Sequence, residues 1–437
     1  MKPALIIAII LILAPVSRSQ TPDPQLLAEI QKIKAIDNHS HPPRIVQPGE
    51  TDDEFDALPC DPLEPSDPPT ANRPGNPQFL AAWKSLWDYK YDDKTEAHIR
   101  ELLATKNRIR QEQGDNYPNW VLDQLGIESE LANRIGLGRG LTPPHFRWVP
   151  FDDALLFPLP NNRLAEASPD RTFFFRREDM LLLRYQQDVG VVSLPTSLDA
   201  YLKSVVTPEL QKQKQQGAVA IKFEAAYLRS LQFEPATRQE ASAIYAAFAR
   251  EGTPPSAGYT RLQDFLFRYI AIEAGRLGLP VHIHTGAGCG TYFNLYGSEP
   301  MRLESVLNDP LLRKTKFVLL HGGSGPFTRE IGYLLMKPNV YADFSEQTWM
   351  TSAHALSQVI RDWLEWYPEK VLFGTDLFPG KAEYDWEEIG WQTTQNARLA
   401  LATALTGMIQ DDEITRPRAI ELAHMVLHDN AAQLYGW

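Results

Sequence analysis

Cysteine is nearly missing from the 437 residues: only Cys60 and Cys289 occur, which excludes a disulfide framework and a four-cysteine zinc site. Positive charge is also short, with 43 Lys and Arg against 55 Asp and Glu and a net charge of −12. Binding to nucleic acid needs a basic stripe that neutralises phosphates, so no nucleic-acid partner is expected. There is no Gly-x-Ser-x-Gly elbow and no Walker loop, so neither an activated serine nor a phosphate cradle competes for the chemistry. A repeat of fixed period is lacking too, which argues against a solenoid or propeller. Hydrophobic residues at 43% and charged ones at 22% are ordinary for a globular chain.

Long apolar runs are absent except at the start. Lys2 precedes a nearly unbroken apolar stretch over residues 4–16, followed by small residues at Ser17 and Ser19. This reads as a secretory signal peptide, 1–19, cleaved before Gln20. The alternative, an uncleaved anchor, meets the objection that a membrane span needs about 20 apolar residues. The mature chain, 20–437, is expected to be exported, periplasmic or secreted, and to make no membrane contact. Homo-oligomerisation is left open.

Proline, by contrast, is abundant at 34, and it is concentrated. Ten of these prolines fall between Pro42 and Pro77, where neither helix nor central strand can propagate. That stretch is expected to run over the surface. Helical spacing then returns at Phe79, Leu80, Trp83, Leu86 and Trp87, and again at Ile99, Leu102 and Leu103. A Pro-rich, then helical, insertion of about 42–120 therefore follows the first strand. Segments of that length often act as lids. Trp83 and Trp87 read as the core of the helical piece.

Short apolar runs alternate with longer helical patterns through the remainder. Strands are predicted at 35–37, 130–135, 146–151, 218–223, 280–284, 316–321, 339–344 and 370–375. Helical patterns fall at 262–277, 328–336, 355–366 and 391–409. Eight βα units with buried strands predict an α/β fold, a distorted (β/α)8 TIM-like barrel, with a doubly wound sheet as the alternative.

In such a barrel the active site forms at the carboxyl ends of the strands. The first strand ends in His39 and His41, the fourth in Lys222, the fifth in His284, the sixth in His321 and the eighth in Asp376. Alternation puts His39 and His41 on one face. A single His at a strand end is more often a hydrogen-bonding residue, but imidazoles and a carboxylate at four strand ends match a divalent metal site. Lys222 stays open between salt-bridge partner, electrophilic helper and a carbamate formed with CO₂. His282 reads as a supporting residue or packed core, and Glu224 as an orienting residue, a substrate contact or a helix cap. Asp343 is left open. His98, His145, His354, His424 and His428 read as structural.

These residues resemble the amidohydrolase superfamily, in its amidohydrolase-related branch. Asp37-Asn38-His39-Ser40-His41 is similar to that superfamily's Asp-x-His-x-His opening. His284 in His-Thr-Gly, His321 in His-Gly-Gly and Asp376 in Phe-Gly-Thr-Asp are similar to its later strand-end motifs. Residues 280–380 also resemble the amidohydrolase-like domain fused to glutamine synthetase-like proteins. The resemblance implies a site of one or two divalent metals, usually zinc, with Mn or Fe as substitutes. His39, His41 and Asp376 would hold the first ion, and a carboxylated Lys222, His284 and His321 the second. With a single ion, His284 would join the first set and His321 would become a catalytic acid or base beside Asp376. The implied reaction is attack of a metal-activated water on an amide, ester or lactone bond of a small molecule. A decarboxylase or hydratase of the same branch is the alternative, and a non-catalytic exported binding protein the third reading.

Two further expectations concern the site's surroundings. Arg134, Arg147 and Arg229 lie near predicted strand ends and are candidates for holding an anionic group. Cys60 in the insertion and Cys289 past His284 are either unrelated or, in an oxidising compartment, a disulfide pinning the insertion over the site.

Overall fold

The eight expected strands are present, and all pairings between them are parallel. They are β1 (Ala35–Ser40), β2 (Ile127–Asn133), β3 (Phe146–Val149), β4 (Ile221–Phe223), β5 (Val281–His284), β6 (Phe317–Leu320), β7 (Val340–Asp343) and β8 (Val371–Leu372). The computed structural model describes residues 21–437 apart from Pro48 and Ser66, so the expected signal peptide lies outside the described residues. Among these, no helix is long and apolar enough to cross a membrane.

Regular pairing gives two sheets, β1-β2-β3 and β4 through β8. Backbone hydrogen bonds join them at both seams. At one, Val219 N–H donates to Trp148 O (3.0 Å), Lys222 N–H to Pro150 O (2.8 Å) and Asp152 N–H to Lys222 O (2.9 Å). At the other, Asn38 N–H donates to Phe373 O (2.9 Å), Asp376 N–H to His39 O (2.8 Å) and His41 N–H to Leu377 O (2.8 Å). The barrel is thereby closed, and the second seam sets His39, His41 and Asp376 side by side.

The strands are short and buried along almost their whole length, as a sheet covered by helices requires. Helices at Ser256–Leu277, Ala353–Leu364 and Trp386–Gln410 supply that cover. The last begins with a capping box, Asp385 and Glu388 each accepting from the other's backbone N–H. β8 is shorter than the predicted 370–375. Its chain stays extended past Leu372, but its partner across the seam is irregular, so the bonds continue without a regular ladder.

The stretch between β1 and β2 carries helices at Pro77–Trp87, Glu96–Gln113 and Tyr117–Leu125. Trp83 and Trp87 are buried in their shared core, as expected. Most of the Pro-rich part runs over the surface as expected, but Asp56, Ala57 and Leu58 are buried at the catalytic end of the barrel. Polar ties hold them there. Arg177 donates to Asp56 O (2.7 Å) and Ala57 O (3.0 Å), and Arg184 pairs with Glu54 (2.9 Å). Cys60 and Cys289 form a disulfide to the loop after β5, with Cα atoms 6.0 Å apart.

Candidate metal centre

A cavity of about 220 Å³ opens at the carboxyl ends of the strands. All six residues singled out from the sequence line it: His39, His41, Lys222, His284, His321 and Asp376. His39 Nε2 lies 3.2 Å from Asp376 Oδ1, and His41 Nε2 lies 3.6 Å from the same oxygen. The imidazole rings of His39 and His321 are 4.9 Å apart, and those of His284 and His321 are 4.5 Å apart.

Donor atoms of His39, His321 and Asp376 lie within 4.8 Å of one another, and so do those of His41, Asp56 and Glu224. This grouping differs from the expected division into His39, His41 and Asp376 on one side and Lys222, His284 and His321 on the other. Asp56 was not expected at all. It reaches His41 Nδ1 at 3.1 Å from the Pro-rich stretch, and a lone Asp among prolines carries no signal in sequence.

Orientation of the rings follows from what their outer atoms meet. His321 Nδ1 faces Ser345 Oγ at 2.9 Å, which turns Nε2 inward. His284 Nε2 meets Ala287 O at 2.7 Å, leaving Nδ1 as the remaining donor atom. His282 points away from the cavity to Tyr435 Oη at 2.7 Å, in keeping with a supporting role. Asp343, left open by the sequence, is a tie beneath the site: it accepts from His321 N–H (2.8 Å), Ser345 Oγ (2.6 Å) and Asn38 Nδ2 (2.6 Å), joining β1, β6 and the turn after β7. Asp37 does the same between β1 and β8, accepting from Thr375 N–H at 2.9 Å and from its hydroxyl. A side chain at Gly322 would strike Trp363, and its φ of 50° places it in the left-handed region, so the His-Gly-Gly turn demands glycine there.

Burial shapes the electrostatics. Desolvation, helped by the Lys222 charge, holds His39 and His284 well below the usual imidazole range. Desolvation and then His284 do the same to His321. Neutral imidazole is the form that offers a lone pair to a metal. Burial raises Asp376 well above the carboxylate range, with Glu346 adding to the push, and raises Glu346 itself to about 8. Both ring nitrogens of His39, His41 Nδ1 and Lys222 Nζ are buried without a hydrogen-bond partner. Unpaired buried polar atoms are costly, so the imidazole nitrogens of this cluster fit a site made for a cation.

The three candidate arginines do not reach the cavity. Arg134 is consumed by Asp52 (2.7 Å) and Pro42 O (2.8 Å), Arg229 pairs with Asp264 (2.8 Å), and Arg147 stacks over Trp437 at 4.5 Å. None of them is placed to hold a substrate anion.

Residues 215–437, just over half of the chain, match the family model described as amidohydrolase. The chain belongs to the amidohydrolase family. Protein fluG of Emericella nidulans is 30% identical over 231 residues, covering 50% of this chain and 25% of that protein. The amidohydrolase thus aligns with about a quarter of its curated relative's length. Among solved structures, glucuronate isomerase from Caulobacter crescentus has a TM-score of 0.60 at 14% identity, covering 96% of each chain. A Lactobacillus casei protein described as a metal-dependent hydrolase has a TM-score of 0.56 at 16% identity, covering 96% of this chain and 92% of its own. Both likenesses establish the barrel fold of the amidohydrolase.

Proposed function

We propose that this amidohydrolase opens an amide, ester or lactone-type C–N or C–O bond in a small molecule. In this reading His39, His41, Lys222, His284, His321 and Asp376 hold one or two zinc ions. The observation that carries it is the convergence of buried, unpartnered donor atoms from separate strand ends on one cavity. Imidazole and carboxylate donors suit zinc with an open position. Lys222 is fully buried with Glu224 Oε1 at 3.9 Å, and as a carbamate it would supply an anionic ligand.

A bound divalent ion would lower the pKa of water from 15.7 towards about 7 and polarise the scissile carbonyl. Asp376 then accepts the proton of the attacking water and returns it to the leaving group. Ser345 holds His321 with Nε2 inward, where it serves as ligand in a two-ion site and as acid or base in a one-ion site. Phe55, Asp56 and Leu58 of the Pro-rich segment form part of the cavity wall.

Elemental analysis with intact-mass measurement tests this reading. Two ions per chain and the added mass of one CO₂ are expected, together with hydrolysis of a member of an amide, ester and lactone panel that stops on chelation. Release of CO₂ with no such hydrolysis would point to a decarboxylase instead.

We also propose that the protein is exported. Two features support this: the charged-then-apolar N-terminus and a disulfide that an oxidising compartment would preserve. Recovery of the mature chain starting at Gln20 outside the cytoplasm is the expected result.

A further inference from the structure

We infer that the substrate carries a cationic group, an ammonium or protonated amine, on its non-scissile side; this rests on the hydrolase reading above. The cavity, at about 220 Å³, is smaller than the roughly 300–1,000 Å³ of drug-sized sites, so its occupant is a small metabolite. Asp56, Asp61, Glu224, Glu346 and Asp376 line it, and among the described lining residues Lys222 is the sole Lys or Arg. Five acidic side chains against one lysine give the lining an excess of groups that accept from, and pair with, a cation. A carboxylate or phosphate on the substrate would meet those acids without a single arginine to receive it.

The position of the cationic group follows from the atoms left unpaired. Glu224 is 5% exposed and its Oε2 has no hydrogen-bond partner. Carboxylate oxygens of Asp56 and Glu224 lie within 4.8 Å of each other and of the metal ligand His41, so the two acids can share one small cationic group beside the metal centre. His41 Nδ1 lies 3.1 Å from Asp56 Oδ2. Phe55, Tyr227, Trp349 and Phe378 complete the wall, and aromatic faces attract cations where water is excluded. Asp56 and Asp61 both belong to the Pro-rich stretch and flank Cys60, which makes that stretch the specificity element.

Three hydroxamates of equal length, ending in ammonium, hydroxyl or carboxylate, provide the test, titrated calorimetrically into the zinc-loaded protein. All three should bind through the hydroxamate, the ammonium form about tenfold or more tighter than the carboxylate form. Asp56→Asn and Glu224→Gln should each shrink that ratio with zinc content unchanged. Equal affinities, or a preference for the carboxylate, would overturn the inference. So would loss of zinc in either variant, because the acids would then be ligands. Failure of all three to bind would sink the zinc-hydrolase reading, and this inference with it.

Discussion

His321, Glu346 and Asp376 share an unusual backbone, with φ of 62°, 51° and 54°. Non-glycine residues seldom adopt the left-handed region, and such conformations persist where surrounding structure over-determines them. Here all three line the same cavity, at turns where the chain leaves β6, β7 and β8. Asp376→Asn is expected to lower kcat by about 10²–10⁴-fold, since it removes a proton carrier while keeping shape. His41→Ala should abolish turnover with the far-ultraviolet spectrum unchanged; near-wild-type turnover with full metal in either variant would refute the assignment. A different residue contributes to pH-dependent stability. Glu209, in the helix Thr207–Gln215, is buried, and burial pushes its pKa up from 4.5 to about 7. Folding therefore favours its protonated form, so it costs stability as pH rises from its unfolded value through the folded one. Glu209→Gln should stabilise the protein by about 1–2 kcal/mol above that range and by little below it, read as Tm across a pH series.

At the scale of elements, the Pro-rich stretch matters most. Its prolines deny it a ladder, yet Asp56 to Leu58 are buried because arginines from the helix Pro169–Asp188 and one disulfide hold the segment down. Cleaving that disulfide, by reductant or by Cys60→Ser, should cost about 2–4 kcal/mol in denaturant unfolding. The barrel should remain folded, because its seams do not involve the segment. Substrate KM should rise more than kcat falls, since Asp56 and Asp61 would lose their fixed place. An unchanged KM after verified thiol release would show that the segment does not shape the site. Sequence revealed the insertion through composition alone, but not that its middle turns inward. That depended on Arg177 and Arg184, distant in sequence, and no local pattern announces such partners.

Across the whole molecule, closure of the barrel brings residues 39 and 376 together through backbone bonds of the β1–β8 seam. A site assembled from both ends of the chain couples binding to folding. Removing the metal with a chelator should lower stability by about 2.7 kcal/mol relative to protein held at a hundredfold excess over Kd, with recovery on zinc addition. Thermal unfolding with and without zinc measures it.

The sequence by itself determined the parallel α/β architecture, the eight strands, and the six residues at their carboxyl ends. Strand periodicity and the ending of each strand are local properties, legible one segment at a time. Tertiary structure alone decided that His321 groups with His39 and Asp376, that Asp56 and Glu346 enter the cavity, that Asp343 ties the strands beneath it, and that the arginines stay outside. Those outcomes depend on which distant side chains meet once the barrel closes, and on how burial then sets their charge. The two cysteines, too few to frame a fold, became informative only when closure set the Pro-rich stretch beside the loop after β5.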